Sequence, residues 1–245
     1  MTQIKAYVLG GAGDRDVCSW LEKFSGAEIV TKLTECNLLV FVGGADVTPG
    51  LYGEQRVDSQ IDYLRDKQEQ QVFDFAVQTG IPMLGICRGS QFLHVMNGGK
   101  LWQDVTSHAI GSEPGHPMID VEDGFTLRAS SYHHQMVREA WTDGGTAEEH
   151  GFVLVAKTPE PRSDWYKSDA GKLCTDTVTE VEAYKYPKTQ CFGIQGHPEW
   201  GPMEFARWAG VKVVEWHGKL NPTINIDGYQ PEAENKAENV NAGDC

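Results

Sequence analysis

Apolar and polar positions alternate along the chain in blocks that predict strands and helices in turn. Ile4 to Leu9 reads as a short strand running into the turn Gly10-Gly11-Ala12-Gly13. Val17, Trp20, Leu21 and Phe24 then fall at i, i+3, i+4 and i+7, one face of a helix that Asp14 or Asp16 can cap. Ala27 to Thr31 predicts a second strand. Asn37 to Val42 is continuously apolar after its first residue, as expected of a strand covered on both faces of a parallel sheet, and Gly43-Gly44 ends it. Ile61, Leu64, Val72, Phe75 and Ala76 carry helical spacing up to Gly80-Ile81-Pro82, where a strand to Ile86 begins. Phe92, Leu93, Val95 and Met96 mark a helix directly after it. The stretch from Leu101 to Thr158 is more β-like, with a strand at Phe152 to Ala156. Val181 to Tyr186 and Cys191 to Gln195 predict a hairpin, and a last helix runs from about Pro202 to His217. Strands alternating with helices imply an α/β fold with a mainly parallel sheet.

Composition narrows the possibilities. The chain has 245 residues, and its 21 Lys and Arg against 35 Asp and Glu leave a net charge of −14. That balance argues against tight binding to a phosphate backbone, which runs on Lys and Arg. The longest apolar runs are strand-sized, far below the ~20 residues of a membrane-spanning helix. The first residues carry no signal-peptide pattern, so a cytoplasmic protein with reduced thiols is expected. The six cysteines show no C-x-x-C pair, and the eight histidines show neither H-x-x-x-H nor H-E-x-x-H spacing, so no metal site is suggested. Residues 1–220 read as one domain. Residues 221–245 read as an acidic mobile tail, dispensable for catalysis, because they carry five acids against one lysine beyond Ile226.

Two glycine-rich turns invite chemistry. Gly11-x-Gly13 resembles the start of a dinucleotide fingerprint, but its third glycine position is Asp16, which would also repel a pyrophosphate; a tight strand-to-helix turn is the better reading. Gly85-Ile86-Cys87-Arg88-Gly89 is different. It sits between a strand and a helix, with small residues two before and two after the cysteine, in the pattern of a nucleophile elbow. A helix N-terminus under the sulfur and the charge of Arg88 favour thiolate, and the Arg88 N–H faces a developing oxyanion. The plainer alternative is a buried cysteine in a strand-to-helix turn. A thiol nucleophile needs a base and a group that orients the base. Gly193-Ile194-Gln195-Gly196-His197-Pro198-Glu199 offers both, because His197 follows a strand and Glu199, at i+2 in extended chain, faces the same side. A surface His-Pro-Glu turn is the alternative.

Gly-Ile-Cys-Arg-Gly with a later His-Pro-Glu resembles the class I glutamine amidotransferase superfamily, and more closely its γ-glutamyl hydrolase branch, which includes γ-glutamyl-γ-aminobutyrate hydrolase. Four further segments carry the resemblance: Gly43 to Pro49 with Tyr52-Gly53-Glu54; Asp62 with Arg65-Asp66 and Glu69; Gln91 to Gly99 leading into Leu101-Trp102-Gln103-Asp104; and Ser131-Tyr132-His133-His134-Gln135. The resemblance implies a three-layer, flavodoxin-like sheet flanked by helices and a triad of Cys87, His197 and Glu199. It implies an oxyanion hole from the backbone of Gly44 and Arg88, and a γ-glutamyl pocket lined by Gln91, Ser131, Tyr132 and His133. Otherwise Gln91 is a helix-surface residue, and the two histidines lie on a solvated loop. His94, on the elbow helix, reads as structural. The implied chemistry hydrolyses a γ-glutamyl amide through a thioester without a metal or organic cofactor. The competing functions are a glutaminase that feeds ammonia to a separate synthase partner, and a non-catalytic binding protein on the same fold. The implied ligand is a small γ-glutamyl compound or glutamine, with no nucleic acid or membrane partner; a homo-oligomer is compatible. One departure stands out. Gly196 occupies the position before the histidine where relatives carry an aromatic residue, which is expected to leave a wall missing beside His197, and Gly196→Trp is expected to refill it.

Overall fold

The computed structural model describes residues 3–10, 14–109 and 115–220. The Gly11-x-Gly13 turn and the acidic tail lie outside the described residues. In chain order the principal elements are β1 (Lys5–Leu9), α1 (Arg15–Ser25), β2 (Glu28–Ile29), β3 (Leu38–Phe41), α2 (Tyr63–Thr79), β4 (Met83–Ile86), α3 (Arg88–Met96), β5 (Gly99–Trp102), β6 (Asp104–Val105), β7 (His116–Asp120), β8 (Thr126–Ala129), β9 (Met136–Trp141), α4 (Ala147–His150), β10 (Val153–Lys157), β11 (Tyr166–Ser168), β12 (Gly171–Leu173), β13 (Val181–Tyr186), β14 (Cys191–Ile194) and α5 (Met203–Lys219). One nine-stranded sheet has the order β2-β1-β3-β4-β14-β13-β10-β7-β8. From β2 to β14 the neighbours run parallel; from β14 to β8 they run antiparallel. The predicted strand at residues 27–31 is reduced to two paired residues, since β2 is an edge strand with a single neighbour.

The apolar run of β3 shows why the fold has three layers. All four of its residues are buried, and successive side chains point to opposite faces. Leu38 and Val40 enter one core with Trp20, Leu21, Val213 and Trp216 from α1 and α5. Leu39 and Phe41 enter the other with Phe73 and Phe92 from α2 and α3. The α1–α5 contact is close because Gly210 lacks a side chain: a Cβ there would stand 2.6 Å from Phe24 Cβ. Asp120 pins α5 to β7, accepting from Trp208 Nε1 at 2.8 Å and from Lys212 Nζ at 2.6 Å. α5 begins at Met203, one residue later than predicted, with Pro202 at its N-cap.

His94 is fully buried in the second core. Its Nε2–H donates to Arg138 O at 2.9 Å, and its Nδ1 accepts from Tyr186 OH at 2.8 Å, so the neutral ring is fixed in one tautomer. Burial pushes its pKa down to about 4. The unfolded chain therefore takes up a proton near pH 6.5 that the folded chain refuses until about pH 4. Stability is lost as pH falls through that window, by about 3 kcal/mol from this group. Urea unfolding at pH 7 and pH 4.5 is expected to show a shallower acid loss in His94→Gln than in the parent chain.

Candidate active site

Cys87 stands at the carboxyl edge of the parallel half of the sheet, between β4 and α3. Its backbone, at φ 52° and ψ −111°, lies where a non-glycine residue is rarely found. Two glycines make that turn sterically accessible. A Cβ on Gly85 would come within 2.6 Å of the backbone of Gly89 and Ser90, and a Cβ on Gly89 would overlap the Phe41 carbonyl. The Cys87 N–H is tied to Ile194 O on β14 at 2.8 Å.

Three neighbouring strands bring the other groups to the same edge. The register Phe41↔Gly85 and Ile194↔Ile86 places the ends of β3 and β14 on either side of Cys87. His197 follows β14, and its imidazole lies against Gly43, where a Cβ would stand 2.7 Å from the ring. His197 Nδ1 is 2.7 Å from Glu199 Oε1, with both side chains nearly buried. Burial alone would lower the His197 pKa. Its interaction with the nearby Cys87 sulfur, followed by that with Glu199, outweighs burial and pushes it up to about 10.

The candidate oxyanion donors rest on a buried ion network. Arg88 opens α3, so its N–H belongs to the first turn and has no partner within the helix. Its guanidinium, buried with Asp66 and Glu69, pairs with both carboxylates and also donates to Ala45 O at 3.2 Å. Glu69 in turn accepts from Arg65 Nε at 2.8 Å. Arg65 then reaches the end of β3, donating to Gly43 O and Val42 O, both at 2.9 Å. In a trans peptide the C=O and N–H point opposite ways. The grip on Gly43 O therefore sets the direction of the Gly44 N–H. Gly44 has φ +146°, and a Cβ there would strike Arg65.

The candidate pocket residues divide. Tyr132 meets the His197 ring edge-on, with centroids 6.2 Å apart. Ser131 is buried and its hydroxyl has no protein partner. His133 turns inward, its Nδ1 bonded to Gln135 O at 2.9 Å and its ring 4.8 Å from His108. Gln91 is not a helix-surface residue: it is buried, and its amide donates to Gln135 O at 2.9 Å and Gln195 Oε1 at 3.2 Å.

Sequence reasoning missed two residues. Ser130 Oγ accepts from His197 N at 2.6 Å and lies 3.1 Å from His197 O, so it anchors the backbone that carries the imidazole. Its position next to the Ser131–Gln135 motif was the available signal. Trp200 stacks on the His197 ring at 4.5 Å and 20°, and donates from Nε1 to Asp16 Oδ2 at 2.9 Å. The Gly196 expectation needs correction on this geometry. A Cβ on Gly196 would point at Phe205 Cζ (2.9 Å) and Ser130 Oγ (3.1 Å). A tryptophan at 196 would push on the helix core and on the histidine's anchor. The aromatic cover beside the imidazole comes from Trp200 and Tyr132.

A Peptidase C26 family model matches residues 7–199. The chain belongs to the Peptidase C26 family. Within this enzyme family it is similar to the putative glutamine amidotransferase-like protein YvdE of Lactococcus lactis subsp. lactis, 34% identical over 137 residues, covering 49% of the chain and 58% of that relative. It is also similar to the γ-glutamyl-γ-aminobutyrate hydrolase PuuD of Escherichia coli K12, 28% identical over 177 residues, covering 66% of the chain and 63% of that relative. The matches thus span less than two thirds of either relative. Among solved structures, a putative GMP synthase component from Thermoplasma acidophilum has a TM-score of 0.53 at 15% identity, over 89% of the chain and 96% of that structure. The glutaminase domain of Trypanosoma brucei CTPS has a TM-score of 0.52 at 16% identity, over 91% and 97%. These two likenesses concern the fold alone, an α/β fold with a mainly parallel sheet flanked by helices.

Proposed function

We propose that this C26 chain is a cysteine hydrolase of γ-glutamyl amides. The observation that carries the reading is the buried imidazole of His197, bonded to Glu199 at 2.7 Å, at the same sheet edge as a cysteine raised on a strained strand-to-helix turn. In the first half-reaction the Cys87 sulfur attacks the γ-carbonyl carbon and the carbonyl oxygen becomes anionic. The Arg88 and Gly44 amides face that oxygen, each donor worth about 3 kcal/mol in the transition state. His197 gives its proton to the leaving nitrogen, the C–N bond breaks, and a γ-glutamyl thioester remains. In the second half-reaction His197 takes a proton from water, the hydroxyl adds to the thioester, and the C–S bond breaks to release glutamate and the thiolate. Glu199 holds the ring through Nδ1 in both steps. Tyr132 and the unpartnered hydroxyl of Ser131 supply candidate contacts to the substrate.

The likeness to a CTPS glutaminase domain and to a GMP synthase component keeps a second reading open to test, in which the same thioester chemistry acts on glutamine and the ammonia goes to a separate synthase. Glutamate release by the purified chain, measured with glutamine and with a panel of γ-glutamyl amines, separates the two. The hydrolase reading expects turnover of the amines to exceed that of glutamine. A chain inert to all of them that becomes a glutaminase when a synthase is added would sink it.

A further inference from the structure

Beyond the catalytic edge lies a second cluster of ionisable side chains for which the proposed chemistry has no use. His108, between β6 and β7, His116, at the start of β7, and Glu182, on β13, are 0%, 0% and 1% exposed. One ligand-capable atom from each lies within 4.8 Å of the others. β7 and β13 flank β10 on opposite sides, yet His116 Nε2 and Glu182 Oε1 meet at 2.6 Å. The rest of the cluster is left without hydrogen-bond partners: His108 Nδ1 and Nε2, His116 Nδ1 and Glu182 Oε2 are all buried and unbonded. Buried polar atoms are rarely orphaned, and a buried carboxylate facing one imidazole is poorly compensated.

A second buried carboxylate stands next to the cluster. His108 Nε2 is 3.1 Å from Glu180 Oε2. Glu180 already accepts from Thr158 Oγ1, Arg162 N, Ser163 N and Tyr166 OH, at 2.8 to 3.0 Å, so it acts only as an acceptor. It stands beside His108 as a charge without a hydrogen bond to the ring, whose two nitrogens are both left without a partner.

We infer that His108, His116 and Glu182 form a site for a divalent transition-metal ion, best matched to zinc. Two imidazoles and a carboxylate without a thiolate are a zinc donor set, with a fourth position open to water. The ligand atoms draw in to roughly 3.4 Å, the edge of a tetrahedron with 2.0–2.1 Å bonds, by side-chain rotation. The ion replaces the proton shared by His116 and Glu182, and that proton passes to the buffer. Its role is structural. It fastens β7 to β13 behind the His133 ring, which packs on His108 at 4.8 Å. Spacing could not reveal it, because the three ligands are 8 and 66 residues apart.

The test uses the full chain with Cys87→Ala, which removes the thiolate at the catalytic edge as a rival zinc ligand. After dialysis against a chelator, the chain is titrated with zinc and the bound metal is measured by elemental analysis. One zinc per chain is expected, with a rise in Tm and proton release on binding. His116→Gln and Glu182→Gln are expected to weaken binding at least about 100-fold, while His150→Gln, on an exposed Asp143 pair, leaves it unchanged. Should the cluster variants fail to fold, cobalt titration of the Cys87→Ala chain decides: d–d bands without a thiolate-to-cobalt band are expected. Less than a tenth of a zinc per chain, full binding by the folded cluster variants, or a thiolate band would each overturn the assignment.

Discussion

Cys87→Ala is expected to abolish glutamate release, lowering kcat by on the order of 10⁵-fold or more while the chain stays folded. The turn's strain is carried by backbone, and Gly85 and Gly89 remain to accommodate it, so loss of the sulfur leaves the elbow in place. His197→Ala is expected to fall nearly as far, because the proposed nucleophile then loses its proposed proton carrier. Glu199→Gln should cost less, roughly 10³- to 10⁴-fold, since Trp200 and Ser130 still hold the ring and its backbone. The thiols report the same assignment. Burial raises the pKa of Cys18, of Cys36 to about 12 and of Cys191 to about 11, so these three alkylate slowly at neutral pH. Alkylation followed by peptide mapping should find Cys87 among the fast sites with Cys174, the exposed thiol. Near-full activity in Cys87→Ala would remove the nucleophile from this site.

The second large effect is expected from the ion network beneath the proposed oxyanion donors. Arg88→Met strands Asp66 as a buried carboxylate without a cationic partner and leaves Glu69 to Arg65 alone, and removing one partner of such a set costs about 3–5 kcal/mol of stability. Arg65→Gln touches the same network from its exposed end and should be mild for stability. It releases the carbonyls of Gly43 and Val42, so the Gly44 N–H loses its direction. The expected result is a fall of about 10- to 100-fold in kcat with KM little changed, because the interaction matters in the transition state. Arg65→Lys should not rescue it. An ammonium lacks the planar fork that reaches both carbonyls and Glu69 at once. Unchanged kcat in a folded Arg65→Gln would separate this network from the oxyanion donors.

How far the sequence could be read depended on the range of each interaction. The elbow was legible because a strand, a cysteine between small residues and a helix are all written within about a dozen positions. The pairing of His197 with Glu199 was legible for the same reason, as was the two-sided burial of β3. The outer half of the sheet was less so. β5 to β12 are short, and several pair outside the nine-stranded sheet, so periodicity marked the region as β-like without giving its order. Gly196 misled for a physical reason: the direction of a missing side chain depends on the local backbone, and here it faces Phe205.

By itself, the sequence determined the alternation of elements, the apolar strands that seed the sheet and the turn that raises Cys87, because each depends on neighbours within a turn or a strand. The tertiary structure alone decided which distant groups meet. Strand order sets β14 beside β4 and so His197 beside Cys87, and it brings Asp66 and Glu69 of α2 to Arg88 of α3. It seats Ser130 under His197, 67 residues away, and Trp200 over its ring. It also gathers His108, His116 and Glu182 into one buried cluster. Such contacts follow from the order and register of packed strands, and no periodicity or spacing along the chain encodes that order.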